Sequence, residues 1–347
     1  MRVLLTGSAG FIGSAVDRAL VADGHELVRV DALLPTAHHD PTPDAGTHVL
    51  DVRDADNWRS LMDGIDVVCH QAAVVGAGTT TADLPLYAAH NDLGTAALLA
   101  AATEAGVRRL VLASSMVVYG EGAYACDRHG QVMPPVRAPD ALAAGDFSAR
   151  CPDCRAPLTS RLVHEDAPLA PRNAYAASKA AQEHYAQAWA RQADAAVVAL
   201  RYHNVYGPGM PRDTPYSGVA AMFRSSLERG EPPRVFEDGQ QQRDFVHVDD
   251  VARANVLAAV AVATAAPGTF RALNVASGHP VTIAEVATLV ARGAVCPLAP
   301  VITGEYRLGD VRHVVASPER AAAELGFRAE VDPDTGLPAF ATAPLRD

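Results

Sequence analysis

A tyrosine and a lysine stand four residues apart in the chain, at Tyr175 and Lys179. Residues i and i+4 of a helix lie on one face, so the two side chains would be neighbours. A tyrosine with its ordinary pKa of about 10 is a poor base at neutral pH, but a nearby ammonium group favours the phenolate. Such a pair can take a proton from an alcohol, although the spacing alone more often marks a solvated surface pair.

A second group of residues has the spacing of a metal site. Cys126 and His129 form a C-x2-H pair, Cys151 and Cys154 form a C-x2-C pair, and 21 residues separate His129 from Cys151. Tetrahedral Zn²⁺ takes four such nitrogen and sulfur ligands, and a site closed by four protein ligands is structural. The pattern predicts a zinc ribbon within residues 121–166, and free thiols on a flexible loop are the alternative.

The two knuckles of this metal site differ in the residue that follows them. Gly130 follows the first knuckle, where a tight turn back to the metal is useful. Arg155 occupies the matching place in the second knuckle, and its turn is therefore the less certain of the two.

Glycines follow the first predicted strand at Gly7, Gly10 and Gly13. There the backbone can approach a pyrophosphate, and the N-terminus of the next helix supplies unpaired N–H groups. Asp31 follows the second predicted strand, where an acidic side chain binds ribose hydroxyls and repels the 2′-phosphate of NADP. The pattern predicts an NAD site, with a structural glycine turn and a surface aspartate as the alternatives.

The elements that would position these residues alternate regularly over the first 115 residues. Apolar runs predict strands at 2–6, 26–30, 47–50, 67–70 and 109–114, and alanine-rich runs predict helices at 11–22, 56–62 and 88–105. Strict alternation implies parallel strands with crossover helices, hence an α/β fold with a doubly wound, Rossmann-like sheet.

The alternation stops after Tyr119. Residues 120–166 are rich in Pro, Cys and charged residues, and a compact domain rarely holds a structureless loop of that length. Bound zinc would order such a segment without a core of its own. Beyond it we expect one strand and four helices, at 195–201 and at 173–192, 219–229, 248–263 and 283–291.

The composition limits the partners of the protein. Its 347 residues include 29 Lys and Arg and 40 Asp and Glu, which gives a formal net charge of −11. Nucleic acids and anionic membranes both favour clustered basic residues, so neither is expected. The sequence also shows neither an apolar run of about twenty residues nor a signal-peptide pattern. We therefore expect a cytosolic protein whose five cysteines are thiols or metal ligands.

Several spaced motifs together resemble the extended short-chain dehydrogenases, and among them the NAD-dependent nucleotide-sugar epimerase/dehydratase group. The resemblance covers nearly the whole chain. The motifs are TGSAGFIG at 6–13, DV at 51–52, HQAA at 70–73, NDLGT at 91–95, SS at 114–115 before YG at 119–120, YAASK at 175–179, RYHNVYGP at 201–208 and RDFVHVDD at 243–250.

The resemblance implies that NAD stays bound through turnover. It places Asp51 and Val52 at the adenine, and Ala72 and Ala73 along the path of the cofactor. The cofactor residues it implies are Gly7, Gly10, Phe11, Ile12, Gly13, Asp31, Asp51, Val52, Gln71, Ala72, Ala73, Asn91, Ser114, Tyr175, Lys179 and Tyr202.

The resemblance also assigns catalytic roles to three residues. Tyr175 would take a proton from a sugar hydroxyl while the carbon beneath gives hydride to NAD. Lys179 would hold the nicotinamide ribose, and Ser115 would hydrogen-bond the same sugar hydroxyl. The ammonium group and the charge of the nicotinamide would lower the pKa of the tyrosine.

Residues that are missing narrow the implied reaction. Related 4,6-dehydratases carry an Asp–Glu pair directly after the serine, and the decarboxylases carry an acid at the second of these positions. Met116 and Val117 stand here instead. Relatives that invert C3 and C5 have a cysteine where this chain has Val118. What remains is reversible oxidation at C4 through a 4-keto sugar. A ketoreductase that consumes external NAD(P)H and a non-catalytic cofactor-binding protein are the alternatives.

The substrate side follows from the same resemblance. Substrate-binding residues would be Ser115, Tyr175, Asn204, Val219, Arg243, Asp310 and Arg312. Arginine's fork suits phosphate oxygens, with a surface ion pair as the alternative. The amino-acid sequences of 214–223, 232–248 and 304–314 are most similar to those of the bacterial dTDP-L-rhamnose 4-epimerase group, which also carries a similar insertion. A dTDP- or UDP-linked hexose or deoxyhexose is therefore expected.

The expected domains are an NAD-binding domain at 1–203 plus 245–270 and a smaller nucleotide-sugar-binding domain at 204–244 plus 271–347. The insertion would occupy 121–166. The family further implies a homodimer, formed by the helices near 88–105 and 173–192.

Overall fold

The computed structural model describes residues 1–35, 43–54, 57–76, 80–212 and 218–346. Residues 214–217 and the first residue of the helix expected at 56–62 lie outside these ranges. A seven-stranded sheet forms the centre of the larger lobe. Its strands, numbered with all others in chain order, are β1 Arg2–Thr6, β2 Glu26–Asp31, β3 Thr47–Val49, β4 Val67–His70, β5 Arg109–Ser115, β9 Ala196–Tyr202 and β13 Phe270–Val275.

This sheet is parallel throughout and runs in the order β13-β9-β5-β4-β1-β2-β3. The chain builds outward from β1 to β3 and then returns to place β4 on the other side of β1. The carboxyl ends of β1 and β4 therefore flank a topological switch point, where doubly wound sheets bind ligands. The expected doubly wound α/β fold is confirmed.

Helices cover both faces of the sheet. One face carries α1 Phe11–Ala22 and α7 Val248–Ala263, which share a core with Val3 and Leu5 of β1. The other face carries α3 Gly94–Glu104 and α5 Ala174–Gln192, which share a core with Leu4. Successive residues of β1 thus enter opposite cores, as the pleat of a strand requires.

The smaller lobe is built from short strands and helices. Its core contains Phe223, Phe245, Val286, Leu337 and Phe340. The strands are β10 Asn204–Tyr206, β11 Arg234–Val235, β12 Gln242–His247, β14 Pro280–Thr282, β15 Val301–Ile302 and β16 His313–Val314, and the helices are α6 Val219–Glu228, α8 Ile283–Gly293 and α10 Pro333–Phe340. A further helix, α9 Glu319–Leu325, packs against α7 and β13.

The insertion forms a small sheet of its own. Strands β6 Ala123–Cys126, β7 Gly130–Val132 and β8 Thr159–Arg161 pair antiparallel in the order β7-β6-β8. A short helix, α4 Pro139–Ala143, lies between β7 and β8 in the chain. The sequence showed little periodicity here because strands of three or four residues are too short to display one.

The observed elements depart from the expected ones at three places. The helix expected at 88–105 starts earlier, as α2 Leu84–Tyr87 followed by a turn of π-helix at Ala88–Leu93. In place of the helix expected at 56–62, the described residues form only a 3₁₀ turn at Arg59–Leu61, because so short a run seldom overcomes the nucleation cost of an α-helix. The sheet continues to Val275, so the expected domain limit at 270 would divide β13.

None of the described helices is long and apolar enough to cross a bilayer.

A buried ion pair joins α5 to β9 beneath the carboxyl ends of the strands. Arg201 donates to both carboxylate oxygens of Glu183, at 2.9 and 2.7 Å, and both side chains are almost completely buried. The hydroxyl groups of Ser114 and Tyr119 also bond to this pair. The pair therefore fixes the loop that follows β5 relative to α5.

We predict that Arg201→Leu lowers the free energy of unfolding by about 3–5 kcal/mol, because it leaves the Glu183 carboxylate buried without its partner. Urea denaturation measures the change. Arg271→Leu is the matched control, since Arg271 pairs with Glu324 on the surface and should cost only about 0–1 kcal/mol. Equal, small losses in both variants would contradict the prediction.

Candidate active site

The glycine-rich loop between β1 and α1 packs directly against the backbone around it. Gly7 has a φ of +66°, and a Cβ placed on it would lie 2.7 Å from the Ala72 nitrogen. A Cβ on Gly13 would lie 1.8 Å from the Gly7 carbonyl oxygen. Gly10, the N-cap of α1, has no side chain to cap the helix. The first turn of α1, which contains Phe11 and Ile12, therefore offers backbone N–H groups suited to an anion.

Asp31 ties the end of β2 to this loop. One carboxylate oxygen accepts from the Ala9 N–H at 2.9 Å, and the other accepts from the Leu33 N–H at 2.8 Å. Sequence analysis placed this carboxylate on a ribose. A carboxylate has about four acceptor positions, and ribose hydroxyls are donors of the kind that it accepts.

A cleft with about 630 Å³ of empty space lies at the switch point. Many of the residues expected at the cofactor line it, together with His90, which sequence analysis did not single out. The residues of this lining that were expected at the cofactor are Gly7, Gly10, Asp31, Asp51, Val52, Gln71, Ala72 and Ala73. The structure thus brings the adenosine end of the expected dinucleotide site together.

Three of the expected cofactor residues direct their side chains to protein partners instead. The Asn91 amide bonds to both backbone groups of Val74 and to Ser178. The Ser114 hydroxyl donates to Glu183 at 2.5 Å, and the Tyr202 hydroxyl donates to Gln71 and accepts from the Asn255 amide. These contacts hold the backbone beside the cleft in place.

Lys179 is a buried ammonium group at the end of β5. Its Nζ donates to the Ala113 carbonyl oxygen at 2.9 Å and lies 6.0 Å from the centre of the Tyr175 ring. Burial lowers the pKa of Lys179 to about 8, and the Glu183 carboxylate acts in the opposite direction. Asn173 caps α5 by accepting from the Ala176 N–H, which fixes where the helix carrying both residues begins.

The Ser115 side chain acts to lower the pKa of Tyr175. Burial has the larger effect and raises the pKa of Tyr175 to about 12. The expected lowering of this pKa is therefore not a property of the protein groups alone, because burial outweighs the effect of Ser115 and the Lys179 ammonium group donates to a backbone carbonyl. The predicted catalytic residues do meet: Ser115 ends β5, and Tyr175 and Lys179 lie on the first turns of α5.

Three of the residues expected at the substrate, Arg243, Asp310 and Arg312, come together around the segment that leads into β16. Arg243 donates to the carbonyl oxygens of Gln242, Val311 and Arg312 at 2.7–3.0 Å. Asp310 contributes an opposite charge to this buried guanidinium group, and burial raises the pKa of Asp310 itself.

Arg312 is not the surface ion pair considered as its alternative. It is buried and donates to Glu237 at 2.8 Å and to both oxygens of Asp238 at 2.7 Å. Asn204 donates to the Asp244 carbonyl oxygen at 2.9 Å, and Val219 is the first residue of α6.

The four expected metal ligands come together in the insertion. The Sγ atoms of Cys126, Cys151 and Cys154 and a ring nitrogen of His129 all lie within 4.8 Å of one another. The Cys126–Cys154, Cys126–His129 and Cys151–His129 separations are 3.6, 3.6 and 3.3 Å. Zinc bonds of ~2.3 Å to sulfur and ~2.0–2.1 Å to nitrogen place tetrahedral ligands roughly 3.5–3.8 Å apart, and these three separations are close to that range.

Local backbone geometry supports this cluster. Gly130 and Arg155, the residues that follow the two knuckles, have φ angles of +70° and +63°. The second knuckle therefore makes its turn in spite of the arginine. Backbone N–H groups lower the pKa of Cys151 to about 6, which favours the thiolate that binds metals.

The sequence profile of the NAD dependent epimerase/dehydratase family matches residues 3–138 and 152–276. The chain belongs to this family. The interruption at 139–151 lies inside the insertion and ends at the third expected metal ligand, Cys151. The matched residues include the glycine-rich loop, the cleft at the switch point and the Tyr175–Lys179 helix described above.

Relatives of known activity match nearly the whole chain. The dTDP-L-rhamnose 4-epimerase of Burkholderia thailandensis is 32% identical over 348 aligned positions, which cover 97% of this chain and 93% of that protein. The UDP-glucose 4-epimerase of Mycolicibacterium smegmatis is 33% identical, with coverage of 95% and 94%. The crystal structure of Thermus thermophilus UDP-glucose 4-epimerase in complex with NAD superposes with a TM-score of 0.75 at 31% identity and 98% coverage of each chain.

Sequence analysis missed several residues that support the site. Arg201 and Glu183 hold the loop after β5, and Arg137 and Glu237 form a second buried pair beside Arg312. Arg137 and Glu237 are 100 positions apart, and no local pattern marks either of them as a partner. Only the position of Arg201, at the start of the RYHNVYGP motif, could have drawn attention to that residue.

We predict that Asp31→Ala weakens NAD binding by about 10- to 100-fold, the range for a lost hydrogen bond to a charged group. It should also reduce the preference for NAD over NADP, because the carboxylate that repels a 2′-phosphate is gone. Titration with both dinucleotides measures the two effects. Asp44→Ala, at an exposed acid between β2 and β3, is the control; an unchanged preference in Asp31→Ala would assign ribose recognition to another residue.

Proposed function

We propose that this protein is an NAD-dependent 4-epimerase of nucleotide-diphosphate sugars. The observation that carries the proposal is the meeting of Ser115, Tyr175 and Lys179 at the carboxyl end of β5, in a sheet whose switch point holds a cleft lined by residues expected at the adenosine end of NAD. The family membership and the 4-epimerases among its relatives support the same reading.

In this reaction Tyr175 takes the proton of the C4 hydroxyl and later returns it. Ser115, the last residue of β5, would orient that hydroxyl by hydrogen-bonding to it. Lys179, held by the Ala113 carbonyl, keeps a positive charge near the ring and favours the phenolate. NAD, when bound, would supply the chemistry of hydride acceptance and return, and C4 would be inverted if the hydride came back to the other face of the sugar.

The residues after Ser115 favour epimerisation over elimination. Met116, Val117 and Val118 form a 3₁₀ turn with Tyr119, and Met116 accepts a contact from Asn204 through its sulfur. None of these three side chains can exchange a proton with a sugar. A ketoreductase would need an external NAD(P)H in each cycle, whereas the proposed epimerase turns over with the NAD that it retains.

We propose dTDP- or UDP-linked hexoses or deoxyhexoses as substrates. Arg243, Arg312 and Asn204 would hold the diphosphate and sugar, with Asp310 and Val219 beside the nucleotide. Arg243 donates to the backbone carbonyl oxygen of Arg312, so the two residues are in contact through the backbone of this segment. Guanidinium groups suit a diphosphate, which carries acceptors on both phosphorus atoms.

We also propose that the enzyme is a cytosolic homodimer. The helical stretch α2–α3 packs against α5, and this pair of elements leaves large apolar side chains exposed, namely Leu84, Leu86, Leu93 and Tyr185. A second copy of the same surface would cover them and build a four-helix interface.

We propose that the insertion binds one structural zinc through Cys126, His129, Cys151 and Cys154. All four positions of the tetrahedron come from the protein, which leaves none for a substrate. The metal would order a small sheet whose strands have only three or four residues each.

The proposal is tested by incubating the purified protein, without added cofactor, with a panel of dTDP-, UDP- and GDP-sugars. NMR should reveal a C4 epimer of at least one dTDP- or UDP-sugar, because the retained NAD is regenerated in each cycle. Conversion that requires added NAD(P)H would favour the reductase, and the absence of any reaction across the panel would favour the non-catalytic protein.

We predict that Tyr175→Phe lowers the epimerisation rate by about 10²- to 10⁴-fold, the usual contribution of a general acid–base group. The amount of retained NAD per chain, measured after denaturation, should stay at the wild-type level because the phenyl ring of Tyr175→Phe still packs where the tyrosine ring did. Tyr185→Phe, on the same helix but outside the group of Ser115, Tyr175 and Lys179, is the control, because it keeps the ring that the proposed dimer would cover. Near-normal turnover in Tyr175→Phe would remove this tyrosine from the mechanism.

We predict about one zinc per chain by elemental analysis of the purified protein. Cys154→Ser should lose most of this zinc because it removes one of four ligands. Cys296→Ser should keep it, since Cys296 is an exposed thiol outside the cluster. A well-folded wild-type protein without metal would contradict the zinc assignment.

A further inference from the structure

The insertion makes contacts along the whole length of one segment of the smaller lobe, residues 310–317. At its start, Nη2 of Arg137 donates to the Asp310 carbonyl oxygen at 2.7 Å. In its middle, the His313 N–H donates to the Tyr124 hydroxyl at 3.0 Å. A Cβ on Gly122 would lie 2.4 Å from the His313 carbonyl oxygen, so the two backbones are in direct contact here.

The same pattern continues at the end of the 310–317 segment. The Val163 N–H donates to the Val315 carbonyl oxygen at 2.7 Å, and the Ser317 N–H donates to the Val163 carbonyl oxygen at 2.9 Å. These are the bonds of a short parallel bridge between Val163 and Ala316. The insertion therefore holds this segment by backbone hydrogen bonds as well as by side chains.

Arg137 is a buried side chain that bonds to both sides of this contact. Its guanidinium group forms a bidentate ion pair with Glu237, in which Nη1 and Nη2 donate to the two carboxylate oxygens at 2.9 and 2.7 Å. The exposed fractions of the two side chains are 5% and 1%. A third bond runs to the Phe147 carbonyl oxygen inside the insertion. Arg137 thus links the insertion to the smaller lobe through a charge pair shielded from water.

Glu237 accepts hydrogen bonds from both Arg137 and Arg312. The carboxylate oxygen that accepts from Arg137 Nη1 also accepts from Arg312 Nη1, at 2.8 Å. The guanidinium group of Arg312, proposed above to bind the diphosphate, is therefore oriented by a carboxylate that Arg137 holds. Arg243 bonds to the carbonyl oxygens of Val311 and Arg312, so two arginines fix the backbone of this segment, one from β12 and one from the insertion.

We infer that the insertion braces the nucleotide-binding segment 310–317, and that Arg137 is a positioning residue for substrate recognition by Arg312. This inference rests on the proposed function and adds a specific role for the insertion. Among the residues that the structure describes, those lining the cleft at the switch point fall between Gly7 and His90, outside the insertion. Loss of the brace should therefore weaken substrate binding and leave the cofactor in place.

The test compares Arg137→Met with Arg161→Met, a matched change at an exposed arginine on β8 of the same insertion. For Arg137→Met we expect a KM for the nucleotide sugar that is roughly ten-fold higher, in line with other residues that act through a neighbour. The kcat should stay within about two-fold and the retained NAD should be unchanged. Arg161→Met should match the wild type in all three.

Hydrogen exchange gives a readout that needs no turnover. In Arg137→Met the amides of His313 and Ser317 should exchange faster by about ten-fold or more, since their partners lie in the insertion. The amides of β1 and β4 should not change. Arg137→Lys keeps the charge but loses the bidentate pairing, and it should show a smaller rise in KM. If Arg137→Met fails to fold, Arg137→Lys serves as the test variant in its place.

Two results would overturn the inference. One is that Arg137→Met has the same KM, and the same hydrogen exchange within 310–317, as Arg161→Met. If only Arg137→Lys folds, the same comparison is made with that variant. The other is a uniform increase of exchange over the whole chain with loss of NAD, which would mean general destabilisation. If the wild type converts no nucleotide sugar, the proposed function fails, while the exchange measurement still decides whether the insertion braces the segment.

Discussion

The buried ammonium group of Lys179 is the constraint on which the rest of the site depends. A charge removed from water must have a partner, and here the partner is the Ala113 carbonyl oxygen near the end of β5. This bond fixes the rotation of α5 relative to the sheet. Tyr175, one turn earlier, is then held beside Ser115, the last residue of β5. The position of the proposed acid–base group is thus set by burial of its neighbour.

The electrostatics of this arrangement assign separate tasks to protein and cofactor. Burial raises the pKa of Tyr175 to about 12 and lowers that of Lys179 to about 8. With the protein groups alone, the tyrosine therefore holds its proton at neutral pH. The positive charge of oxidised NAD would favour the phenolate, so the base would become effective in the complex that is ready to oxidise the sugar.

How far the sequence predicts this structure depends on the distance over which each signal acts. The bounds predicted for α1 and α7, 11–22 and 248–263, agree with the observed helices, because a helix is set by local periodicity. The two Cys/His knuckles are local patterns too, and the structure brings all four ligand atoms together. The pairs Arg137–Glu237 and Arg201–Glu183 join distant segments, and nothing near either residue identifies its partner. The two- and three-residue strands of the smaller lobe are likewise too short to show a period.

The most direct measurement of the central claim uses a nucleotide sugar that carries deuterium at C4. If hydride leaves C4 for bound NAD and returns to the other face, the epimer formed in ordinary water should keep the deuterium at C4 in full, as NMR or mass spectrometry would show. Replacement of that deuterium by hydrogen from the solvent would contradict the account, because it would mean that C4 is inverted by proton exchange and not by hydride transfer.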